Sequence, residues 1–153
     1  MDNPMSHDLL ELSQKADELM NSERKAEAAE LYSALVEKQP DWEHGQAFLF
    51  LAYCQEDMGL IELAEKNYRA ALSYEPANVI FLGGFASFLY LHGKPEDAFR
   101  AYLELLAVEK RAMHKDGIHR TMIGLKALGE KLGWSESEVA DRIERHEKQD
   151  HKS

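Results

Sequence analysis

The sequence predicts an all-α protein, built as about three stacked helical hairpins with further helices capping the C-terminal end. Three observations carry that prediction. Apolar residues recur at three- and four-residue spacing along nearly the whole chain, no run alternates as a half-buried strand does, and one pattern of small and aromatic residues is written three times.

Turn-forming and capping residues punctuate the periodic segments at Asn21-Ser22, Pro40-Asp41, Met58-Gly59, Pro76-Ala77-Asn78, His92-Gly93-Lys94-Pro95, Asp116-Gly117 and Gly133-Trp134-Ser135. Between them lie segments of helical length, joined by short turns. The repeat spans 9–40, 45–76 and 79–112, leaving 113–148 for two capping helices, with 1–8 expected to be flexible and 149–153 to fray.

Laid over one another, the three segments agree at their packing positions. A small residue (Ala16, Ala52, Ala86) is followed twelve positions later by another (Ala28, Ala64, Ala98) and sixteen later by a tyrosine (Tyr32, Tyr68, Tyr102). Antiparallel helices approach closely only where they present alanine, and a ring one turn further on fills the wedge that opens there. Pro40 and Pro76 stop the second helix of a pair, while Gly59 and Gly93 suit a tight turn. In the third segment Lys110 stands where proline would end the helix, so that helix is expected to run on toward His114. The Ile118, Met122, Leu125, Leu128 and Leu132 series makes the first capping helix amphipathic. The last one opens on a capping box, Ser135 with Glu138, and a Trp134/Val139 staple.

These residues resemble the tetratricopeptide repeat, over 9 to about 110. The chain departs from that family at Lys15, at the 36-residue step from Pro40 to Pro76, and at Lys110. The resemblance implies a right-handed superhelical stack whose first helices line a concave face. Carried over position by position, that face would present Leu10, Ser13, Asp17, Met20 and Asn21, then Gln46, Leu49, Tyr53, Glu56 and Asp57, then Ile80, Gly83, Ser87, Tyr90 and Leu91. Ser13, Asp17, Tyr53, Ile80 and Gly84 occupy the places where members that grip a terminal carboxylate carry their cations and amides, so that subtype is excluded. Within the family, a short acidic chain with three repeats and helical ends, together with Phe48 to Gln55 leading to Gly59, Ala64, Tyr68 and Ala71, resembles the class II chaperones of bacterial type III secretion. That resemblance implies a cytoplasmic adaptor holding an apolar segment of a client. The alternative is a scaffold protein acting mainly through homo-oligomerisation, with a homodimer as its simplest form.

Composition narrows the partner. The chain has 153 residues, 44% of them hydrophobic, enough for a core without staples. Residues 1–109 carry 8 Lys and Arg against 20 Asp and Glu, net -12, whereas 110–153 carry 10 against 8, net +2. An acidic body opposes a phosphate backbone, so nucleic acid is excluded as a partner and a protein segment with apolar anchors, bearing a basic residue near Asp17, Glu56 or Asp57, is favoured. The most apolar stretch, Val79 to Leu91, is 13 residues, short of the ~20 that cross a bilayer, so no direct membrane insertion is expected. Asp2 and Asp8 sit where a secretory signal would be basic, and Cys54 is the single cysteine, which points to the cytoplasm.

No catalytic chemistry stands out. The histidines form no ligand pattern, Cys54 lies in an apolar run, and no set of residues supplies nucleophile, base and oxyanion donor together. No enzyme activity, metal or cofactor is therefore expected. The mid-helix pair Gly83-Gly84 costs about 1 kcal/mol per glycine relative to alanine. Either a neighbouring helix packs against bare backbone there, or the groove floor is lowered for a bound chain.

Overall fold

The computed structural model describes residues 4–150, with side chains from His7 onward; residues 1–3 and 151–153, which fall in the expected flexible end and frayed tail, lie outside the described residues. Among the described residues eight α-helices follow one another: α1 Pro4–Asn21, α2 Lys25–Lys38, α3 Gln46–Asp57, α4 Ile61–Tyr74, α5 Val79–His92, α6 Pro95–Arg111, α7 Lys115–Lys131 and α8 Glu136–Asp150. Helix α1 thus begins inside the 1–8 segment expected to be flexible, because a proline is tolerated in a first helical turn. Likewise α8 continues to Asp150, into the segment expected to fray.

The chain divides into two compact units, Met1–Pro76 and Ala77–Ser153. The first holds α1 to α4, with α1 against α2, α2 against α3 and α3 against α4. Its six helix-crossing partners behave as the repeat requires: Ala16, Ala28, Ala52 and Ala64 are fully buried, and Tyr32 and Tyr68 fill the space beside them. Leu9, Leu35, Ala47, Leu51 and Cys54 form one cluster with Ala16, Ala28 and Tyr32, with Leu12, Met20 and Phe50 packed on it.

The connection from α2 to α3 is longer than its counterpart from α4 to α5. Pro40 stops α2, since the residue before a proline is pushed out of the helical region. A short 3-10 segment, Trp42–Gly45, then leads into α3, and it contains Glu43, His44 and Gly45 in succession at φ of 48, 57 and 97°. From Pro40 to the start of α3 at Gln46 the chain takes three more residues than from Pro76 to the start of α5 at Val79, and this left-handed turn absorbs them. A Cβ on Gly45 would lie 3.1 Å from the Ala71 carbonyl and from Tyr74 Cβ, so glycine is required there twice over. Within the turn, the buried Nε1 of Trp42 has no hydrogen-bond partner.

In the second unit α5 packs on α6, α6 on α7, and α8 on both α6 and α7. Asn78 caps α5, its Oδ1 accepting from the amides of Ile80 at 2.9 Å and Phe81 at 3.1 Å. Pro95 opens α6, with Glu96 and Asp97 in its first turn and Lys110 and Arg111 in its last, the arrangement the helix dipole favours. With no proline at Lys110 that helix runs past it to Arg111, where α4 stops two residues before Pro76; Met113, at φ 56°, makes the turn before His114. The expected break at Asp116-Gly117 is instead the first turn of α7. Glu138 N donates to Ser135 Oγ at 3.1 Å, the forward half of the capping box, but the Glu138 carboxylate turns away to Arg142 Nε at 2.9 Å. Trp134 packs edge-on against Phe99, with centroids 5.0 Å apart, and carries the Arg142 guanidinium 3.7 Å above its ring.

Candidate functional site

The first helices are those on which the sequence placed a binding face, and each is tied to its hairpin partner through one tyrosine. In the first hairpin Tyr32 donates its hydroxyl hydrogen bond to Asp17 Oδ1. In the second, Tyr68 donates to Glu56 Oε1 at 2.7 Å and meets the Tyr53 ring edge-on at 5.8 Å. In the third, Tyr102 shares a hydrogen bond with Ser87 and meets Tyr90 edge-on at 6.3 Å. The residues that meet each tyrosine, its cradle, lie fifteen or twelve positions before it: Asp17 for Tyr32, Tyr53 and Glu56 for Tyr68, Ser87 and Tyr90 for Tyr102. Burial is the first cause of the raised pKa of Tyr32 and Tyr68, and the carboxylate at the hydroxyl adds to it.

This cradle redistributes the expected binding residues. Asp17 and Glu56, which the sequence offers to a basic partner, are already acceptors for Tyr32 and Tyr68. Asp57 pairs with Lys25, whose pKa is raised by that hydrogen bond. Leu49 is 1% exposed and belongs to the interior, so it cannot meet a partner; Met20 packs on the core of the first unit. Tyr53 and Tyr90 are half-buried, Tyr90 with Lys131 Nζ 5.4 Å over its ring. On the first unit Leu10, Asn21 and Gln46 are exposed and Ser13 is partly so.

The most open part of the expected face lies in the second unit. Ile80 and Leu91 on α5 are 67% and 68% exposed, and a cavity of about 510 Å³ lies beside Ile80, Gly83 and Ser87, bounded by α6 and α7. A Cβ built on Gly83 meets nothing within 4 Å. Close approach of a neighbouring helix is therefore not the reason for that glycine; its missing side chain leaves the cavity open. The sequence reading missed the other walls, among them Leu105 and Glu109 from α6 and Gly117, Arg120 and Thr121 from α7. Glu109 was legible through a spacing: it accepts a hydrogen bond from Thr121 twelve residues on, as Glu56 does from Tyr68.

Two further cavities flank α8. One, about 390 Å³, holds the exposed Met122 and Ile123 beside Trp134, Val139 and Ile143. The other, about 410 Å³, is bordered by Arg100, Arg142 and Arg145, each within 4.0 Å of an acid. Among the described residues, His7, Asp8 and Glu11 gather three ligand atoms on one exposed turn of α1, with His7 Nδ1 3.5 Å from Glu11 Oε1. Cys54 is buried, and desolvation pushes its thiol up to about 11, the opposite of what a nucleophile needs. No described helix is long and apolar enough to cross a membrane.

The chain matches no protein-family model and no curated protein sequence. Among solved structures it is similar to the type III secretion chaperone SycD of Yersinia enterocolitica in complex with a peptide of the translocator YopD, at 23% identity and a TM-score of 0.73, over 84% of this chain and 98% of that one. A second structure of that translocator chaperone gives 21% identity and 0.74 over 84% and 88%, and a type III secretion complex from Aeromonas hydrophila 19% and 0.73 over 84% and 85%. The tetratricopeptide-type helical hairpins read from the alanine and tyrosine spacing are thus arranged in the fold of the translocator chaperones of type III secretion.

Proposed function

We propose that the chain is a non-enzymatic, cytoplasmic bacterial chaperone that holds an apolar segment of a translocator-like client on the exposed face of α5. The observation that carries this reading is α5, which has no Asp, Glu, Lys or Arg in fourteen residues and leaves Ile80 and Leu91 about two-thirds exposed. Apolar side chains held out on a rigid helix beside an open cavity suit the anchors of an extended or helical peptide. The fold supports the same reading, since a structure of this fold binds a peptide of a translocator.

Affinity capture from native cytosol tests it, with hydrogen exchange used to find the client segment that becomes protected. The wild-type chain is expected to retain a client through an apolar segment, and Ile80→Asp with Leu91→Asp to release it while helical circular dichroism stays unchanged. A chain that light scattering shows as a homodimer without client, indifferent to those substitutions, would overturn the proposal in favour of a self-associating scaffold. The exposed Met122 and Ile123 beside α8 give that second reading its surface.

A further inference from the structure

Glu109 is 3% exposed, yet its side chain reaches the cavity over α5. Its Oε1 accepts from the Thr121 hydroxyl. Its Oε2 rests on the first turn of α7, so close that a Cβ on Gly117 would lie 1.9 Å away. The nearest cationic candidate is His114, half-exposed, whose Nδ1 stands 3.9 Å from Oε2, beyond hydrogen-bonding distance. Among the described residues no lysine or arginine pairs with Glu109, and Arg120 on the cavity rim is exposed. A carboxylate offers about four acceptor sites, and taking it from water is costly unless it is paired.

The space in front of Glu109 has the matching shape. Val79, Ile80 and Leu105 line it, and Gly83 keeps a clear path where any other residue would project a side chain. Lysine and arginine lay methylene stems along apolar walls while the charged head seeks an acceptor. We propose that this cavity is a subsite for one basic side chain of a bound polypeptide, its stem along Val79, Ile80 and Leu105 and its head on Glu109. The assignment rests on the reading of the chain as a polypeptide-binding chaperone. It moves the basic recognition expected at Asp17, Glu56 and Asp57, all engaged internally, to a residue of the second unit.

The full-length chain, isotopically labelled, is titrated with N-acetyl-arginine-N-methylamide and with its norleucine counterpart while backbone amide shifts are followed. The arginine probe is expected to shift Gly83, Gly84 and Gly117 saturably, and the norleucine probe to do so at least tenfold more weakly. Glu109→Gln, which still accepts from Thr121, should weaken the arginine probe about tenfold, and Gly83→Leu, which fills the open path, should do the same. Should Glu109→Gln lose its helical spectrum, Gly83→Leu decides. Equal responses to the two probes, no response to either, or an arginine response unchanged in the folded variants would overturn the subsite. A chain that captures its client but ignores the probe loses only the subsite; one that takes the probe but holds no client loses only the chaperone reading.

Discussion

Residues 1–76 carry 6 Lys and Arg against 16 Asp and Glu, net -10, whereas residues 77–153 carry 12 against 12 and are neutral. The packing frame is nevertheless the same in both: fully buried alanines at the helix crossing and a tyrosine sixteen residues beyond the first of them. The difference lies in what meets that tyrosine. In the first unit its hydroxyl finds a carboxylate, Asp17 or Glu56; in the second it finds the neutral Ser87. A repeat can therefore hold its backbone arrangement fixed while the face beside it changes from acidic to uncharged. An acid on that face is not evidence of a charged partner until its own hairpin has been examined.

The largest expected effect probes what the units share. Ala52→Leu in the first and Ala86→Leu in the second each overfill a crossing with no free space, and each should lose about 1–3 kcal/mol in urea denaturation. A neutral result in either would mean that the crossing there is looser than its twin. The next prediction separates the units. Tyr68→Phe removes a donor from the half-buried Glu56 carboxylate and should cost about 1–2 kcal/mol, whereas Tyr102→Phe, facing a serine, should cost about half as much. Equal costs would erase the distinction between charged and neutral cradles.

Alkaline pH sharpens it further. A thiol or phenol whose pKa is higher folded than unfolded contributes stability that is complete below the unfolded value and is lost as pH rises through the folded one. Cys54 moves from 9.0 to about 11, mainly by desolvation. Burial also raises Tyr32, Tyr53 and Tyr68 in the first unit and Tyr102 in the second. Amide exchange is therefore expected to accelerate in residues 7–76 before 77–150 as pH rises from 9 to 11, with Cys54→Ala blunting the loss. The smallest effect concerns the turns. His44→Gly in the first unit and Met113→Gly in the second both relieve a left-handed backbone and should each gain about 0.5–1 kcal/mol in thermal unfolding.

The hairpins were legible because alanine and tyrosine at those spacings leave one packing solution. Helix ends were less so: Asp116-Gly117 reads as a break, yet Gly117 is needed inside α7 because Glu109 leans on it. Of the residues expected to face a partner, Ile80 and Leu91 are exposed on α5, and Ile80, Gly83 and Ser87 line a cavity. Leu49 was misread because a two-sided helix buries positions that a single-faced template leaves open. The hydroxyl that reaches Asp17 and Glu56 from the next helix was not legible, because the template gives a residue's direction and not its partner.

The two tryptophans fall one to each unit, Trp42 in the left-handed turn and Trp134 between Phe99 and Arg142. Each unit thus contains its own fluorophore, one with an unsatisfied indole N–H and one stacked beneath a guanidinium. Replacing either by phenylalanine leaves an emission signal belonging to the other unit alone. Denaturation followed in the two single-tryptophan proteins would then reveal whether the boundary after Pro76 divides cooperative melting, or whether both signals vanish together.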